Sequence, residues 1–267
     1  MHLAPVVLVT GAAQRIGREI ALHLAGHGWQ VAVHYRSSAA AAAQTVAAVR
    51  AAGGSAMAFA ADLALEPQCE ALVPAVVQGF GRIDAVVNNA SLFEYDDVGS
   101  FSSTAMERAW RANTAPAIVL ARALHRHLQG AESLQGRSGC VVNLLDQKLW
   151  NPNPDYLSYS LSKAALEAAG TMLAQALAPT VRVCGVAPGV TLLSGEMSGA
   201  EFDSSHRMTP LQRSSTPEDV ARAVRFLLES PAITGTTLLV DGGQHLQPQS
   251  RDVMFIARQA EPNPKAP

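Results

Sequence analysis

Short apolar segments alternate with segments of helical periodicity along the chain. Continuous hydrophobicity over a few residues is typical of strands that are buried on both faces of a sheet. Seven segments have this character, at residues 5–9, 30–35, 56–60, 83–87, 140–145, 181–186 and 237–240. Between them, apolar residues recur at helical spacing over residues 15–27, 39–52, 66–80, 104–128, 157–177 and 217–228. This alternation predicts an α/β fold, a doubly wound Rossmann-type sheet of about seven parallel strands with helices on both faces.

These elements form one predicted domain over residues 1–246, because neither a repeat nor a linker divides them. The helix predicted at residues 104–128 contains Pro116 and is expected to kink there. Residues 247–267 are mostly polar and contain proline, which indicates a C-terminal tail. Residues 250–256 combine charges with a short apolar cluster, so we expect this tail to pack on a neighbouring subunit.

Composition argues against several classes of partner. The net charge of −2 gives no electrostatic attraction for nucleic acid or for an anionic membrane. No apolar run approaches the about 18 residues of a membrane span, and the first residues do not resemble a signal peptide. The three cysteines (Cys69, Cys140 and Cys184) are far apart, as expected for reduced thiols in a cytoplasmic protein. The eight histidines show no spacing typical of a metal site, so no metal is expected.

The turn after the first predicted strand has the features of a nucleotide site. Gly11 allows the tight turn, and Gly17 allows close approach of helix and strand. The N–H groups of Ile16 and its neighbours at the helix N-terminus would bind a diphosphate. Arg15 stands where a middle glycine is usual. Glycine-containing turns of this type are common, so the motif alone is equally consistent with a purely structural turn.

The end of the second predicted strand predicts which dinucleotide is bound. A site that selects NAD usually carries an acidic residue there, which binds the ribose 2′-hydroxyl. This chain instead reads His34, Tyr35, Arg36, Ser37 and Ser38. Arg36 and the serine hydroxyls would bind a 2′-phosphate, with Arg15 available from the adjacent turn. The sequence therefore predicts NADPH as cofactor, and a solvated loop arginine is the alternative interpretation of Arg36.

A candidate catalytic group lies at residues 146–163. Tyr159 and Lys163 are four residues apart on a predicted helix and share one face of it. Asp146 follows the fifth predicted strand and would face the same pocket. The lysine ammonium is expected to lower the pKa of the phenol and to bring its proton closer to transfer at neutral pH. The alternatives are a surface Tyr–Lys pair on an ordinary amphipathic helix and, for Asp146, a capping carboxylate.

Further motifs along the chain join these two groups of residues. Together they are Thr10-Gly11 with Gly17, Asp62-Leu63, Asn88-Asn89-Ala90, Asn113, Tyr159 with Lys163, and Pro188-Gly189. In this order the motifs resemble the short-chain dehydrogenase/reductase family, and the likeness extends to Asp241-Gly242-Gly243. The resemblance implies that Tyr159 is the proton donor, that Lys163 holds the nicotinamide ribose, and that Asn113 supports a proton-relay water. It also implies that Asp62 and Leu63 flank the adenine. The predicted cofactor set is Gly11, Arg15, Ile16, Gly17, His34, Tyr35, Arg36, Ser37, Ser38, Asp62, Leu63, Asn89, Ala90, Lys163, Pro188 and Gly189.

Two departures from the common family pattern are informative. Most members have Ser where this chain has Asp146, and Gly where it has Arg15. Both departures are similar to the pteridine reductase and dihydromonapterin reductase branch, which acts in tetrahydrobiopterin and folate metabolism. In that branch Phe93 would stack a pterin against the nicotinamide, with Ser91 and Tyr156 also in the substrate pocket. Core packing is the alternative interpretation of Phe93.

The resemblance predicts an NADPH-dependent reductase that converts a dihydropterin, or dihydrofolate, to its tetrahydro form. Tyr159 would give a proton to the imine nitrogen, and Asp146 would accept hydrogen bonds from pterin N–H groups. A generic carbonyl or 3-oxoacyl reductase is the first alternative, and it would have Ser at position 146. A non-catalytic NADPH-binding regulator is the second, although Asn113, Tyr159 and Lys163 together argue against it.

The resemblance also concerns assembly. It implies a homotetramer whose main contacts are the helices that begin near residues 104 and 157. In such an assembly, Arg251 of the tail would reach the pterin pocket of a neighbouring subunit. The loop at residues 193–208 has no predicted structure or role.

Overall fold

The seven apolar segments form one parallel sheet in the computed structural model, which describes residues 4–130, 138–193 and 197–260. The strand order is β3-β2-β1-β4-β5-β6-β7, and every pairing is parallel. The strands are β1 Val6–Val9, β2 Gln30–Tyr35, β3 Ala56–Ala60, β4 Ala85–Asn88, β5 Gly139–Leu144, β6 Val181–Pro188 and β7 Thr237–Val240. The predicted doubly wound α/β fold is confirmed.

Helices cover both faces of the sheet. They are α1 Arg15–Ala25, α2 Ala39–Ala51, α3 Glu66–Phe80, α4 Ser103–Asn113, α5 Ala115–Gln129, α6 Leu157–Ala176, α7 Gly199–Arg207, α8 Pro217–Glu229 and α9 Val253–Ala260. Because side chains alternate along a strand, Val7 and Val9 pack under α1, α2 and α8, whereas Val6 and Leu8 pack under α3 and α5. Each face therefore has its own buried apolar layer. Among the described helices, none is long and apolar enough to span a bilayer.

The helical region predicted at residues 104–128 is two helices, and it is broken rather than kinked near Pro116. The chain breaks at Thr114, between α4 and α5. Pro116 lies in the first turn of α5. Because proline has no N–H, it cannot donate the hydrogen bond that would continue α4 into α5. The hydroxyl of Thr114 donates to the Ser162 carbonyl oxygen over 2.8 Å, and this bond holds the break against α6. The break brings Asn113 against the helix that carries Tyr159.

The C-terminal segment folds back onto its own chain. Residues 244–246 form a 3₁₀ turn, and α9 packs against α7 beside the carboxyl edge of the sheet. As far as residue 260, the segment predicted to be a tail packs, as expected from its apolar cluster, and the contacts described are with its own chain. The predicted contact with a neighbouring subunit, and the homotetramer, stay predictions. Residues 261–267 of the predicted tail and 194–196 of the unassigned loop lie outside the described residues.

The topology places a crevice at the carboxyl edge between β1 and β4. The chain runs outward from β1 to β3 on one side and from β4 to β7 on the other, so the connections diverge at this point. Ligands of doubly wound sheets bind at such a switch point. The turn that follows β1, the loop that follows β4 and Asp146 after β5 all face it.

Candidate active site

A cavity of about 540 Å³ opens at this edge of the sheet. Twenty of the predicted site residues line it, and they come from the ends of β1, β2, β3, β4, β5 and β6 and from α6: Gly11, Arg15, Ile16, Gly17, His34, Tyr35, Arg36, Ser37, Ser38, Asp62, Leu63, Asn89, Ala90, Ser91, Phe93, Asp146, Tyr156, Tyr159, Pro188 and Gly189. Asn113 and Lys163 lie buried behind its wall. One cavity thus combines the predicted cofactor and substrate residues.

Asp146, Tyr159 and Lys163 lie together at the inner end of the cavity. The Tyr159 hydroxyl donates to Oδ2 of Asp146 over 2.9 Å. The other oxygen of Asp146, Oδ1, accepts from the main-chain N–H of Lys148 over 2.9 Å and so caps a 3₁₀ turn at residues 147–149. Nζ of Lys163 donates to the Leu144 carbonyl oxygen over 2.7 Å and lies 5.8 Å from the Tyr159 ring centroid. Asp146 therefore acts as a cap through one oxygen and holds the phenol with the other.

The pKa of Tyr159 moves in the opposite direction from the prediction. Burial raises this pKa well above its ordinary value, and the charge of Asp146 raises it further. The ammonium of Lys163 points at a main-chain carbonyl, and the carboxylate is the phenol's hydrogen-bond partner. Burial also raises the pKa of Asp146, and it lowers the pKa of Lys163 to about 8 against the opposing effect of Asp146. The phenol therefore keeps its proton at neutral pH, as a proton donor requires.

Asn113 fixes the loop that follows β4. Its Oδ1 accepts from the Leu92 N–H over 2.7 Å and from the Ser91 hydroxyl over 3.2 Å. Its Nδ2 donates to the Leu92 carbonyl over 3.0 Å and to the Ser162 hydroxyl over 2.9 Å. An amide side chain has two donor and two acceptor positions, and all four are used. The side chain therefore positions Ser91 and has no position left for a relay water. A relay water held by the main chain of Asn113 stays a prediction.

The turn after β1 needs both of its glycines. Gly11 has φ +63°, and a Cβ there would lie 3.0 Å from Cα of Ala90. A Cβ on Gly17 would lie 2.4 Å from the Gly11 carbonyl oxygen. Arg15 has φ +56°, so it adopts the backbone conformation of the glycine that it replaces, at a cost of about 1 kcal/mol. Its guanidinium donates to the Leu193 carbonyl over 2.8 Å, which joins the turn to the loop after β6.

His34 holds this turn rather than a cofactor. Its side chain is 2% exposed, and its Nδ1 accepts from the Gly11 N–H over 3.0 Å. Its Nε2 lies 3.0 Å from the Ala61 carbonyl oxygen, to which it donates. Both ring nitrogens are therefore occupied within the protein, and the prediction that His34 binds the cofactor is corrected to a positioning role. Both bonds require the neutral ring with its proton on Nε2.

We expect His34→Leu to lower the free energy of unfolding by about 1–3 kcal/mol, because two buried main-chain groups lose their partner. The pH dependence should change as well. Burial lowers the pKa of His34 below the value of 6.5 of an unperturbed histidine. Below pH 6.5 the unfolded chain thus binds the proton more readily, and stability falls as pH drops toward the folded-state pKa.

Urea unfolding at pH 8 and at pH 5.5 measures both effects. The loss of stability between these pH values should be smaller in His34→Leu than in the unchanged protein. His27→Leu, which removes an exposed histidine of the α1–β2 loop, is the matched control. Equal pH dependence in all three proteins would contradict the assignment.

The outer end of the cavity carries aromatic rings. The Phe93 and Tyr156 rings stack, with centroids 4.2 Å apart and an interplanar angle of 15°. Phe93 also meets the Tyr159 ring edge-on, with centroids 4.7 Å apart, and it is 42% exposed. A ring with one covered face and substantial exposure is not core packing. Phe93 offers a flat apolar surface beside the Tyr159 ring.

Comparison with known proteins identifies the family. A family model described as enoyl-(acyl carrier protein) reductase matches residues 11–245. The chain belongs to the short-chain dehydrogenase/reductase family. Pteridine reductase 1 of Leishmania tarentolae is 34% identical, over 91% of this chain and 97% of that protein. A 3-oxoacyl-[acyl-carrier-protein] reductase of a Synechocystis species is 32% identical, over 90% of this chain and 96% of that protein.

A solved short-chain reductase is similar over nearly the full chain. It is the FolM alternative dihydrofolate reductase 1 of Brucella canis, complexed with NADP, with a TM-score of 0.86 and 38% identity. The match covers 94% of this chain and 98% of that one. The chain is thus an oxidoreductase of this family, with sequence similarity both to a pterin reductase and to a 3-oxoacyl reductase.

The cavity residues of this short-chain reductase that were missed from the sequence include the polar or α9 side chains of Gln147, Lys148, Asp252 and Met254. Lys148 is 4% exposed, and its Nζ donates to Asp252 over 3.0 Å. A lysine flanked by the apolar residues Leu145, Leu149 and Trp150 was the available signal for a buried charge. The apolar cluster at residues 250–256 signalled that this segment packs, but nothing in the sequence signalled that it reaches the cavity of its own chain. Within the described ranges, no cluster of three or more His, Cys, Asp or Glu side chains is arranged to hold a metal ion.

Proposed function

We propose that this short-chain reductase is an NADPH-dependent reductase of dihydropterins, with dihydrofolate as a larger candidate substrate. The 2.9 Å hydrogen bond between the Tyr159 hydroxyl and Asp146 carries this proposal. An ionised carboxylate accepts hydrogen bonds and cannot donate one to a carbonyl oxygen. A pterin presents amino and ring N–H donors, and its C=N bond needs a delivered proton. The similarity to Leishmania pteridine reductase 1 and to the Brucella alternative dihydrofolate reductase supports the same substrate class.

The residues at the other end of the cavity fit NADPH. Gly11 and Gly17 carry no side chain, and the turn packs closely against the loop after β4. No side chain at these two positions covers the N-terminus of α1, where main-chain N–H groups can bind a diphosphate. Arg36 is exposed at the end of β2, with Ser37 and Ser38 beside it in the cavity wall. Arg36 makes no ion pair with any of the residues described here, so its guanidinium is available for a 2′-phosphate. Bound NADPH supplies the hydride, and the NADP complex of the Brucella relative supports this choice.

The proposed reaction reduces one ring C=N bond. The electrophilic carbon takes the hydride, and Tyr159 donates its hydroxyl proton to the nitrogen, so that C=N becomes CH–NH. Asp146 accepts N–H bonds from the substrate and orients the phenol through Oδ2. The charge of Lys163 stabilises the phenolate that forms when the proton leaves, and solvent then restores that proton. Phe93 provides the surface on which a flat heterocycle stacks.

A change of charge at Arg36 tests the cofactor assignment. Arg36→Glu should lower the ratio of kcat/KM for NADPH to that for NADH by about 10- to 100-fold, because a charge-assisted bond of about 1.5–3 kcal/mol is replaced by repulsion. Initial rates with both nucleotides measure this ratio. Arg18→Glu, an exposed position of α1, is the control and should leave the ratio within twofold. A ratio unchanged in Arg36→Glu would count against the 2′-phosphate assignment.

The proposal also predicts an alkaline limit to activity. Because burial lowers the pKa of Lys163 to about 8, the side chain loses its charge above that pH. Reductive kcat/KM should therefore fall about tenfold per pH unit above pH 8. In Lys163→Arg, which keeps the charge, the fall should move to higher pH. A fall that stays near pH 8 in this variant would assign it to another group.

Turnover of a small substrate panel tests the function itself. NADPH oxidation is followed with dihydrobiopterin, dihydromonapterin, dihydrofolate and an acetoacetyl thioester. We expect turnover of at least one dihydropterin with kcat/KM at least 100-fold above that of the thioester. The similarity to the Synechocystis 3-oxoacyl reductase makes the thioester the relevant competitor. Preference for the thioester would replace the proposal with a 3-oxoacyl reductase, and NADPH binding without turnover of any of them would favour a regulator.

A further inference from the structure

The segment that follows the domain is attached to the cavity of its own chain. Arg251 binds Asp155 through Nε, at 2.8 and 3.0 Å to the two carboxylate oxygens, and through Nη2 at 2.8 Å. Asp252 accepts from Lys148 Nζ over 3.0 Å. At the other end of the segment, Nε of Arg258 donates to Glu201 over 2.9 Å. The segment therefore connects two separate parts of the protein: the loop at residues 147–155, which follows Asp146, and helix α7.

Three of these contacts satisfy buried charges of the domain. Asp155 is 1% exposed, Lys148 is 4% exposed and Glu201 is 6% exposed. A buried charge that loses its partner is strongly destabilising, so these three groups require the segment to stay docked. Asp155 also accepts from the Asp252 N–H over 2.7 Å, which fixes the main chain at the start of α9. These contacts fix residues 251–258 in place as part of the cavity wall.

The apolar side of α9 completes the substrate end of the cavity. Val253 and Met254 are 4% and 8% exposed, and both line the cavity together with Asp252. Met254 packs with Tyr156 and Tyr159. Phe93 stacks on the first of these rings and meets the second edge-on. Phe255 extends this cluster to the ring of Tyr95, with centroids 5.5 Å apart. A substrate on Phe93 would thus lie between the catalytic tyrosine and the α9 side chains.

We propose that residues 251–258 form a specificity element that acts in cis, closing the substrate end of the cavity of their own subunit. Met254 is the residue of the cavity wall that determines specificity. Arg251 and Arg258 are positioning residues: Arg251 fixes α9 to Asp155 in the loop at residues 147–155, and Arg258 fixes it to Glu201 of α7. The proposal concerns the same site as the proposed function, and its substrate class rests on that function. Closure by a neighbouring subunit, which the sequence suggested for Arg251, is the competing arrangement.

Steady-state kinetics test the specificity role. The double variant Arg251→Gln/Arg258→Gln should raise KM for the dihydropterin at least tenfold, while the Kd of NADPH, from fluorescence titration, stays within twofold. Met254→Ala, which leaves all the ion pairs intact, should raise KM at least fivefold with kcat changed less than threefold. Arg222→Gln on α8, an exposed arginine with two surface partners, is the matched control. A dihydropterin KM within twofold of that of the unchanged protein in both test variants would overturn the proposal.

Mixed oligomers separate closure in cis from closure by a neighbour. Tyr159→Phe and Arg251→Gln/Arg258→Gln chains are co-expressed with different tags, and oligomers that contain both are isolated. If closure is in cis, each subunit that keeps Tyr159 also carries the substituted residues 251 and 258 in its own cavity wall. The mixed oligomer should then keep the high KM. Recovery of the low KM would mean that an intact tail closes the partner's site, and it would overturn the proposal. If the chains do not associate, no neighbour can close the site, and the KM values above decide.

Amide hydrogen exchange tests the docking of residues 251–258 without a substrate, and so independently of the proposed function. If no dihydropterin is turned over, the proposed function fails, but the wall can still be examined without a substrate. The double variant should then exchange the amides of α7 and of residues 147–149 at least fivefold faster, with α2 unchanged. Unchanged exchange at both places would show that the segment does not brace the site, and it would overturn the inference.

Discussion

Replacing Tyr159 by Phe is expected to lower kcat for dihydropterin reduction by about 10²- to 10⁴-fold, the contribution typical of a positioned general acid. The phenol is buried and keeps its proton because burial and the charge of Asp146 raise its pKa well above the ordinary value. The Phe93 ring and the wall of the cavity do not depend on the hydroxyl. The Kd of NADPH should therefore stay within twofold. Stopped-flow NADPH oxidation under single-turnover conditions measures the chemical step directly.

A second tyrosine provides the control for this result. Tyr95 is 48% exposed, and its hydroxyl donates to the half-buried Asp97 over 3.2 Å. Tyr95→Phe removes an equivalent phenol near the same aromatic cluster and should change kcat less than threefold. A Tyr159→Phe variant with more than a third of the normal single-turnover rate would show that the proton comes from another group.

The carboxylate at position 146 should be nearly as important. Asp146→Asn preserves the shape of the side chain and an oxygen that accepts from the Tyr159 hydroxyl, but it removes the charge. We expect kcat/KM for the dihydropterin to fall about 100-fold or more, because the amide nitrogen that replaces Oδ1 cannot accept from the Lys148 N–H and opposes substrate N–H groups as a donor. The pKa of Tyr159 should fall toward its ordinary value, since the Asp146 charge is one of the causes that raise it. Ultraviolet titration of NADPH-free protein, with Tyr159→Phe variants subtracted, measures this shift.

Asp97→Asn is the matched control, because Asp97 is a half-buried carboxylate that accepts from Ser100 and Tyr95. It should leave kcat/KM within twofold. Asp146→Ser restores the residue that most family members carry, and we expect it to lose dihydropterin turnover as Asp146→Asn does. Full dihydropterin turnover in Asp146→Ser would remove the basis for assigning the substrate class to this carboxylate.

The fold was predictable because each strand is mostly apolar and the six predicted helices have apolar residues at helical spacing. The strand and helix bounds depend on local pattern, so residues 140–145 and 157–177 were identified within a residue or two. The meeting of Asp146, Tyr159 and Lys163 was also predictable. Residues four apart share a helix face, and residues that follow parallel strands meet at one edge of the sheet.

The features that the sequence did not predict depend on contacts between distant segments. The direction of the Tyr159 pKa depends on where the Lys163 ammonium points, and it points at the carbonyl of Leu144. His34 was taken for a cofactor contact because no pattern shows that Gly11 and Ala61 already occupy its ring. The docking of α9 depends on ion pairs across about a hundred residues of sequence, such as Arg251 with Asp155. Composition suggested a tail because none of those partners is close in the sequence.

The most direct test of the central claim follows the hydride and the proton together. The protein is incubated with a dihydropterin and NADPH that carries deuterium at the transferable position of nicotinamide C4, and the product is examined by mass spectrometry and NMR. The account predicts a tetrahydropterin with one deuterium on the ring carbon next to the newly protonated nitrogen, formed at least 100-fold more slowly by Tyr159→Phe. A tetrahydropterin without deuterium, or deuterium found only in a 3-hydroxyacyl product when the acetoacetyl thioester is added as competitor, would contradict it.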